Sequence, residues 1–263
     1  MLVNYHVHDQ NSSDACGTLE EIIQEAIKNN IKYFAISNHA EDVLHVKAKL
    51  DVNETIERLQ KGREEYEVLK AKYPQICMKY AYEADMDEEF HLGHEQIQAA
   101  VEFDFVIGSI HSVDDYGVSG DNVIAMCKQY EHQDDLVNRY FEALLDGLKW
   151  GKFHHIGHFD VFKRFSSEYY GERYNFRKHA DILKKIAKVI IEKEFVVEIN
   201  CASLFCPVNE PAPHDELIEF LIECGVKKWT LGSDSHCPTD FPKGLIEGRN
   251  ILEKHNIKAI FYE

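Results

Sequence analysis

The sequence predicts an α/β fold, a parallel barrel built from seven or eight β/α units. Three observations carry that prediction. Short apolar, β-rich runs alternate with longer helical patterns along the whole chain, as in a parallel sheet wrapped by helices. That many units within 263 residues fit one barrel better than an open doubly wound sheet. Neither a G-x-G-x-x-G fingerprint, which would favour the open sheet, nor a G-x-x-x-x-G-K-[ST] phosphate loop occurs. Pattern alone leaves the open sheet as the alternative. A single domain over residues 1–263 is expected.

The elements follow in order. The first apolar run covers residues 2–8. Thr18-Leu19-Glu20-Glu21 has the spacing of a capping box and opens a helix to about Asn30. The aromatic and β-branched run 33–37 is the second strand, and the charge-rich 53–72 the next helix. Residues 78–84 and 103–110 are the third and fourth runs, followed by a long helical stretch over 121–148. Run five is 153–159, then a helix over 176–192 and run six over 195–199. A helix over 215–224 leads to run seven at 229–232. The pattern closes with a helix over 244–255 and a short final strand at 259–262.

Composition narrows the function. Hydrophobic residues are 44% and charged residues 29%, which excludes a disordered chain, a collagen-like fibre and a long coiled coil. No apolar run approaches the ~18 residues of a membrane-spanning helix. The start, Met1 to His6, has neither a basic cluster nor an apolar stretch, so no secretory signal is expected. The balance of 29 Lys+Arg against 46 Asp+Glu gives a net charge of −17. Without a basic cluster this disfavours nucleic acid, whose binding depends on neutralised phosphates. The same field repels small anions, so any anionic substrate needs local positive charge. The seven Cys are irregularly spaced with no C-x-x-C. Neither a zinc finger nor a disulfide scaffold is expected, and a reducing cytoplasm is the natural reading.

The unusual number is 15 His. His6 and His8 end run one, His39 ends run two, and Glu83 ends run three. His111 follows run four, and His158 and Asp160 end run five. Asn200 ends run six, and Asp234 and His236 end run seven. In a parallel barrel these ends converge on one face, where active sites form. The pairs His6/His8, His158/Asp160 and Asp234/His236 are spaced i, i+2, so both members can point the same way. One H-x-H pair is a weak signal, but a ligand-type residue at every strand end is not explained by core packing. His45, His132, His179, His214 and His255 read as solvated, and His91 and His94 as neighbours on a possible helix. His154 is expected near the barrel, on the face of His158.

These motifs, His6-Val7-His8, Asn38-His39, Glu83, Gly108-Ser109-Ile110-His111, Gly157-His158-Phe159-Asp160 and Gly232-Ser233-Asp234-Ser235-His236, resemble those of the PHP (polymerase and histidinol phosphatase) superfamily. Their order fits nearly the whole chain, and no polymerase domain is expected. The resemblance is greatest to the stand-alone histidinol-phosphatase branch.

The resemblance implies a distorted (β/α)7 TIM-like barrel with three divalent metal ions, zinc, manganese or iron. The first would take His6, His8, Glu83 and Asp234. Glu83 would bridge to the second, with His111 and His158. The third would take Asp14, His39 and His236. The implied reaction is hydrolysis of a small phosphate monoester, most closely L-histidinol phosphate, by a metal-bridging hydroxide. Asp160 would protonate the leaving group or orient His158. Arg164, Lys163 and Asn200 are the candidate substrate-binding residues, Arg164 for its bidentate fork. One departure stands out: Phe205 occupies a position where that branch often carries a cation. A sugar or nucleotide phosphate, or a cyclic phosphodiester, is therefore the alternative substrate. A metal-binding barrel without turnover is the third reading.

Overall fold

A computed structural model describes residues 1–43, 48–119, 122–171 and 173–262. In chain order its elements are β1 (Val3–Asn4), α1 (Leu19–Lys28), β2 (Tyr33–His39), α2 (Val52–Lys72), β3 (Cys77–Asp85), α3 (His91–Ala100) and β4 (Phe105–Ser109). A small hairpin, β5 (Ser112–Val113) with β6 (Tyr116–Gly117), precedes α4 (Val123–Cys127) and α5 (Gln133–Trp150). Then come β7 (His155–Ile156), α6 (Lys163–Tyr170), α7 (Ala180–Glu192), β8 (Val196–Asn200), α8 (Asp215–Glu223), β9 (Trp229–Gly232) and α9 (Leu245–Lys254).

Seven strands form one sheet in the order β1-β2-β3-β4-β7-β8-β9, every pair parallel. The order follows the sequence, so there is no switch point of the doubly wound kind. The two edges meet: the Tyr5 amide donates to Leu231 O, Asp234 to His6 O and His8 to Ser235 O, each at 2.9 Å. The sheet is thus a nearly closed barrel, and the open-sheet alternative is excluded.

Local chemistry explains the elements that position the site. The Thr18 hydroxyl accepts from the Glu21 amide at 3.2 Å, and Glu21 Oε2 accepts from the Thr18 amide at 2.8 Å. This capping box satisfies two donors at the start of α1, whose Leu19, Ile22, Ile23 and Ala26 face the core. An aromatic plug fills the end of the barrel where the strands begin. His155 stacks on Phe105 with centroids 4.1 Å apart, and its Nε2 lies 2.5 Å from the Tyr262 hydroxyl. Tyr5 packs edge-on against both Phe105 and Tyr262. The opposite end, where the strands finish, is left for polar residues.

Several expectations need correction. The helical stretch over 121–148 is two helices, α4 and α5, separated by a polar turn. There the Tyr130 hydroxyl is held by Asp114 Oδ2 at 2.6 Å. Its proposed start, Asp121, lies outside the described residues. The fifth run shrinks to His155–Ile156: the Gly157 amide still donates to Gly108 O, and the chain bends from His158 into a turn closed by the Val161 amide on His158 O. The final strand reduces to a single pairing of Ala259 with Trp229. His154 is exposed, its Nδ1 accepting from the Val106 amide; His155 is the residue turned into the barrel.

Gly232 closes β9 against the site. A Cβ there would overlap the Glu198 carboxylate and His6 Cβ. Gly232→Ala is therefore expected to cost about 1–3 kcal/mol or more through overpacking, read as a lowered urea midpoint with an unchanged slope.

Candidate metal centre

The strand ends bring the ligand-type side chains to one mouth. His6 and His8 follow β1, His39 ends β2, and Glu83 lies near the end of β3. His111 follows β4, His158 follows β7, and Asp234 and His236 follow β9. Asp234 sits at φ 53°, a left-handed conformation unusual for a residue with a side chain. The hydrogen bond from its amide to His6 O holds it there.

Glu83, fully buried, is the hub. Its Oε2 lies 3.2 Å from His6 Nε2, 3.6 Å from His8 Nε2 and 2.9 Å from His39 Nδ1. Its Oε1 lies 3.2 Å from His111 Nε2 and 2.9 Å from His158 Nε2. Asp234 Oδ1 stands 3.6 Å from His6 Nε2 and 3.5 Å from His8 Nε2. Asp14 Oδ2 joins from the other side, 3.1 Å from His236 Nε2 and 3.6 Å from His39 Nε2. His39 thus faces Glu83 with one ring nitrogen and Asp14 with the other.

The electrostatics fit a cation site. Burial opposes ionisation of Glu83, but His6, His39 and His111 outweigh it and hold the carboxyl well below its ordinary range. The same contest, won by His6, His8 and Arg164, keeps Asp234 ionised. Burial, with His236 and His39 adding to it, pushes His8 well below the ordinary imidazole value, leaving it neutral. For His6, His39, His111 and His236 burial also opposes charge, but the carboxylates they face outweigh it and shift them upward. A bound cation would take the place of those protons beside Glu83, Asp14 and Asp234.

Hydrogen bonding supplies the decisive test of fit. His6 Nε2, His8 Nε2, His39 Nδ1 and Glu83 Oε2 are buried, and none has a hydrogen-bond partner. They face one another at contact distance in an arrangement that completes no well-formed hydrogen bond. Buried polar atoms rarely stay unpaired, and convergent lone pairs are satisfied together by a cation. Three groups at this mouth place their ligand atoms within 4.8 Å of one another: His6/His8/Asp234, His39/Glu83/His111 and His8/His39/His236. This mixed imidazole and carboxylate set suits zinc, manganese or iron.

The remaining site candidates divide. Arg164, at the start of α6, reaches the cluster. Its Nη2 donates to Asp234 Oδ2 and Asn200 Oδ1, both at 2.8 Å, and its Nε to Ser203 Oγ at 2.7 Å. Asp160 and Lys163 do not join it. They are fully buried and paired with each other at 2.8 Å; Lys163 also donates to Pro211 O, and Asp160 Oδ2 accepts from the His214 amide. Each Asp160 oxygen already has a partner away from His158. Phe205 is half exposed, with Lys243 Nζ 4.6 Å from its ring centroid.

Sequence reasoning missed Glu198. Its Oε1 lies 2.9 Å from His6 Nδ1, and its Oε2 accepts from the His158 amide at 2.8 Å. Orienting a ligand histidine through its second nitrogen is the usual role of such a carboxylate. The signal was available: Glu198 is i−2 to Asn200, so both share one face of β8. Ser12 does the same for His8 at 3.2 Å and accepts from the His39 amide. Among the solvated histidines, His45 lies outside the described residues. His179 is instead buried against Asn138 and Asp134, and the side chain of His255 is largely buried on Asp215. The cysteines also differ from expectation: Cys16 and Cys237 form a disulfide with Cα atoms 5.1 Å apart. It ties the loop of Asp14 to the loop of His236.

A family model described as PHP domain matches residues 4–202. The chain belongs to the PHP domain family. Relatives of this PHP protein extend the match to full length. A "probable histidinol-phosphatase" of Clostridium acetobutylicum is 26% identical over 267 residues, covering 100% of this chain and 97% of its own. The histidinol-phosphatase of Lactococcus lactis is 25% identical over 254 residues, covering 96% and 90%. The crystal structure of histidinol phosphate phosphatase from Lactococcus lactis, in complex with zinc, L-histidinol and phosphate, shares the fold. Its TM-score is 0.81 over 98% of this chain and 95% of that one, at 22% identity.

Proposed function

We propose that this PHP protein is a phosphoric monoester hydrolase that converts L-histidinol phosphate to L-histidinol and phosphate, using three divalent ions. The observation that carries the reading is the convergence of His6, His8, His39, His111 and His158 on the single carboxylate Glu83. The full-length likeness to relatives named histidinol-phosphatase supports the substrate. Bound divalent ions would lower the pKa of water and neutralise charge on the phosphoryl oxygens. They would also make the mouth of a protein of net charge −17 attractive to a phosphate.

The chain's own residues do the rest. Glu83 has both oxygens turned to imidazoles, so it can bridge two ions. Glu198 and Ser12 lock the rings of His6 and His8 so that their Nε2 atoms face inward. Asn200 and Asp234 hold the Arg164 guanidinium at the mouth, where a fork of donors suits a phosphate. The buried Asp160–Lys163 pair braces the first turn of α6, which carries Arg164. Arg164→Lys keeps the charge but loses the fork. It is expected to lower kcat/KM about 10- to 100-fold, the range of a lost charged hydrogen bond of about 1.5–3 kcal/mol. Steady-state kinetics on the metal-loaded protein would check this.

A second reading keeps the site and changes the ester. The apolar, half-exposed Phe205 favours it. A panel of phosphate esters, compared by kcat/KM, separates the two. No helix among the described residues is long and apolar enough to cross a membrane. A cytoplasmic location belongs to the same proposal, although the Cys16–Cys237 disulfide runs against the cysteine reading behind it. A free thiol titre at Cys16 and Cys237 in freshly lysed cells would test it.

A further inference from the structure

The ring nitrogen of His111 that faces away from Glu83 looks into a second buried cluster. Asp85, Glu41 and His94 are all essentially inaccessible, and none belongs to the donor set above. Asp85 Oδ1 accepts from the Asp87 amide at 2.9 Å. Its Oδ2 has no hydrogen-bond partner and stands 3.7 Å from His111 Nδ1, which has none either. Glu41 Oε1 lies 2.8 Å from His94 Nε2 and accepts from the Asp85 amide at 3.1 Å. His94 Nε2 is also 3.1 Å from Asp85 O. Glu41 and His94 therefore grip the backbone of Asp85 from both sides, at the end of β3 and two residues past Glu83.

Burying this many ionisable groups is costly unless each has work to do. A histidine that binds a metal through Nε2 keeps its proton on Nδ1 and needs an acceptor there. The unpartnered Asp85 oxygen is that acceptor, a few tenths of an ångström beyond hydrogen-bond range. We infer that Asp85 is the positioning carboxylate of His111, and that the Glu41–His94 pair fixes Asp85 and so sets metal affinity at His111 without touching substrate. The inference rests on the reading of His111 as a metal ligand.

The test measures metal binding apart from turnover. Full-length protein and the variants Asp85→Asn, Asp85→Glu, Glu41→Gln and His111→Ala are stripped of metal. They are then titrated with Mn²⁺ against a competing chelator. Asp85→Asn is expected to weaken the most weakly held Mn²⁺ about 10- to 100-fold, the usual effect of removing such a partner. Glu41→Gln should weaken the same ion less, and Asp85→Glu should recover part of the loss, which a merely structural defect would not allow. If Asp85→Asn fails to fold, Glu41→Gln, which leaves Asp85 in place, decides. If both carboxylate variants bind Mn²⁺ like the parent while His111→Ala loses an ion, the inference falls and the reading of the site stands. If His111→Ala also binds like the parent, both fall.

Discussion

Replacing Glu83 with glutamine is expected to abolish phosphate release, lowering kcat/KM by at least about 10³-fold. Among the described residues, no other side chain faces five imidazoles. Glutamine keeps the size and one carbonyl oxygen but removes the charge, and it turns an NH₂ group toward rings that present lone pairs. Both ions that Glu83 would bridge lose a ligand at once. The fold should survive, because the seven-stranded sheet and its aromatic plug at the far end do not depend on that charge. Metal content and activity should therefore fall together while the circular dichroism spectrum stays. Full activity in Glu83→Gln would remove the hub from the account.

Stripping the metal should destabilise the protein and make its stability depend on pH in a definite direction. An ion held at about 1,000 times its dissociation constant contributes roughly 4 kcal/mol. At about 2–4 °C per kcal/mol for a chain of this size, chelation should lower Tm on the order of 10 °C. In the stripped protein, burial disfavours charge on His39, but Glu83 and Asp14 outweigh it and lift its pKa to about 10. A folded pKa above the ordinary 6.5 means the stabilisation is fully present below pH 6.5. It is lost as pH rises toward 10. The stripped protein should thus lose stability across that window. The loaded protein should not, because its imidazoles stay neutral on the metal. Thermal melts at several pH values with and without chelator read both effects. Equal melting curves would contradict them.

What the sequence made legible follows from strand geometry. His6, His8, His39, Glu83, His111, His158, Asp234 and His236 all stand at strand ends, and a parallel barrel has only one place to bring such ends together. The i, i+2 rule held where a continuous backbone carried it, as for His6 and His8. It failed at β7, a strand of two residues, where the frame counted back from His158, itself in the bend after the strand, pointed to His154 and not His155. Asp160 shows the same limit of strand logic. Beyond the strand end its side chain meets Lys163 one helical turn away, an i, i+3 pairing that strand logic does not see. Glu198 was hidden inside an apolar run whose neighbours advertise only β-structure. Glu41 and His94 meet across elements far apart in sequence, and no local pattern announces that contact. The cation sought at position 205 is absent from that segment, and the head group over the Phe205 ring belongs to Lys243.

The most direct test is phosphate release from L-histidinol phosphate by protein reconstituted separately with Mn, Zn and Fe, beside a panel of small phosphate esters and cyclic diesters. The account predicts that histidinol phosphate leads the panel in kcat/KM with at least one metal, and that chelation silences every reaction. No phosphate release from any ester by protein shown to hold its metal would contradict it.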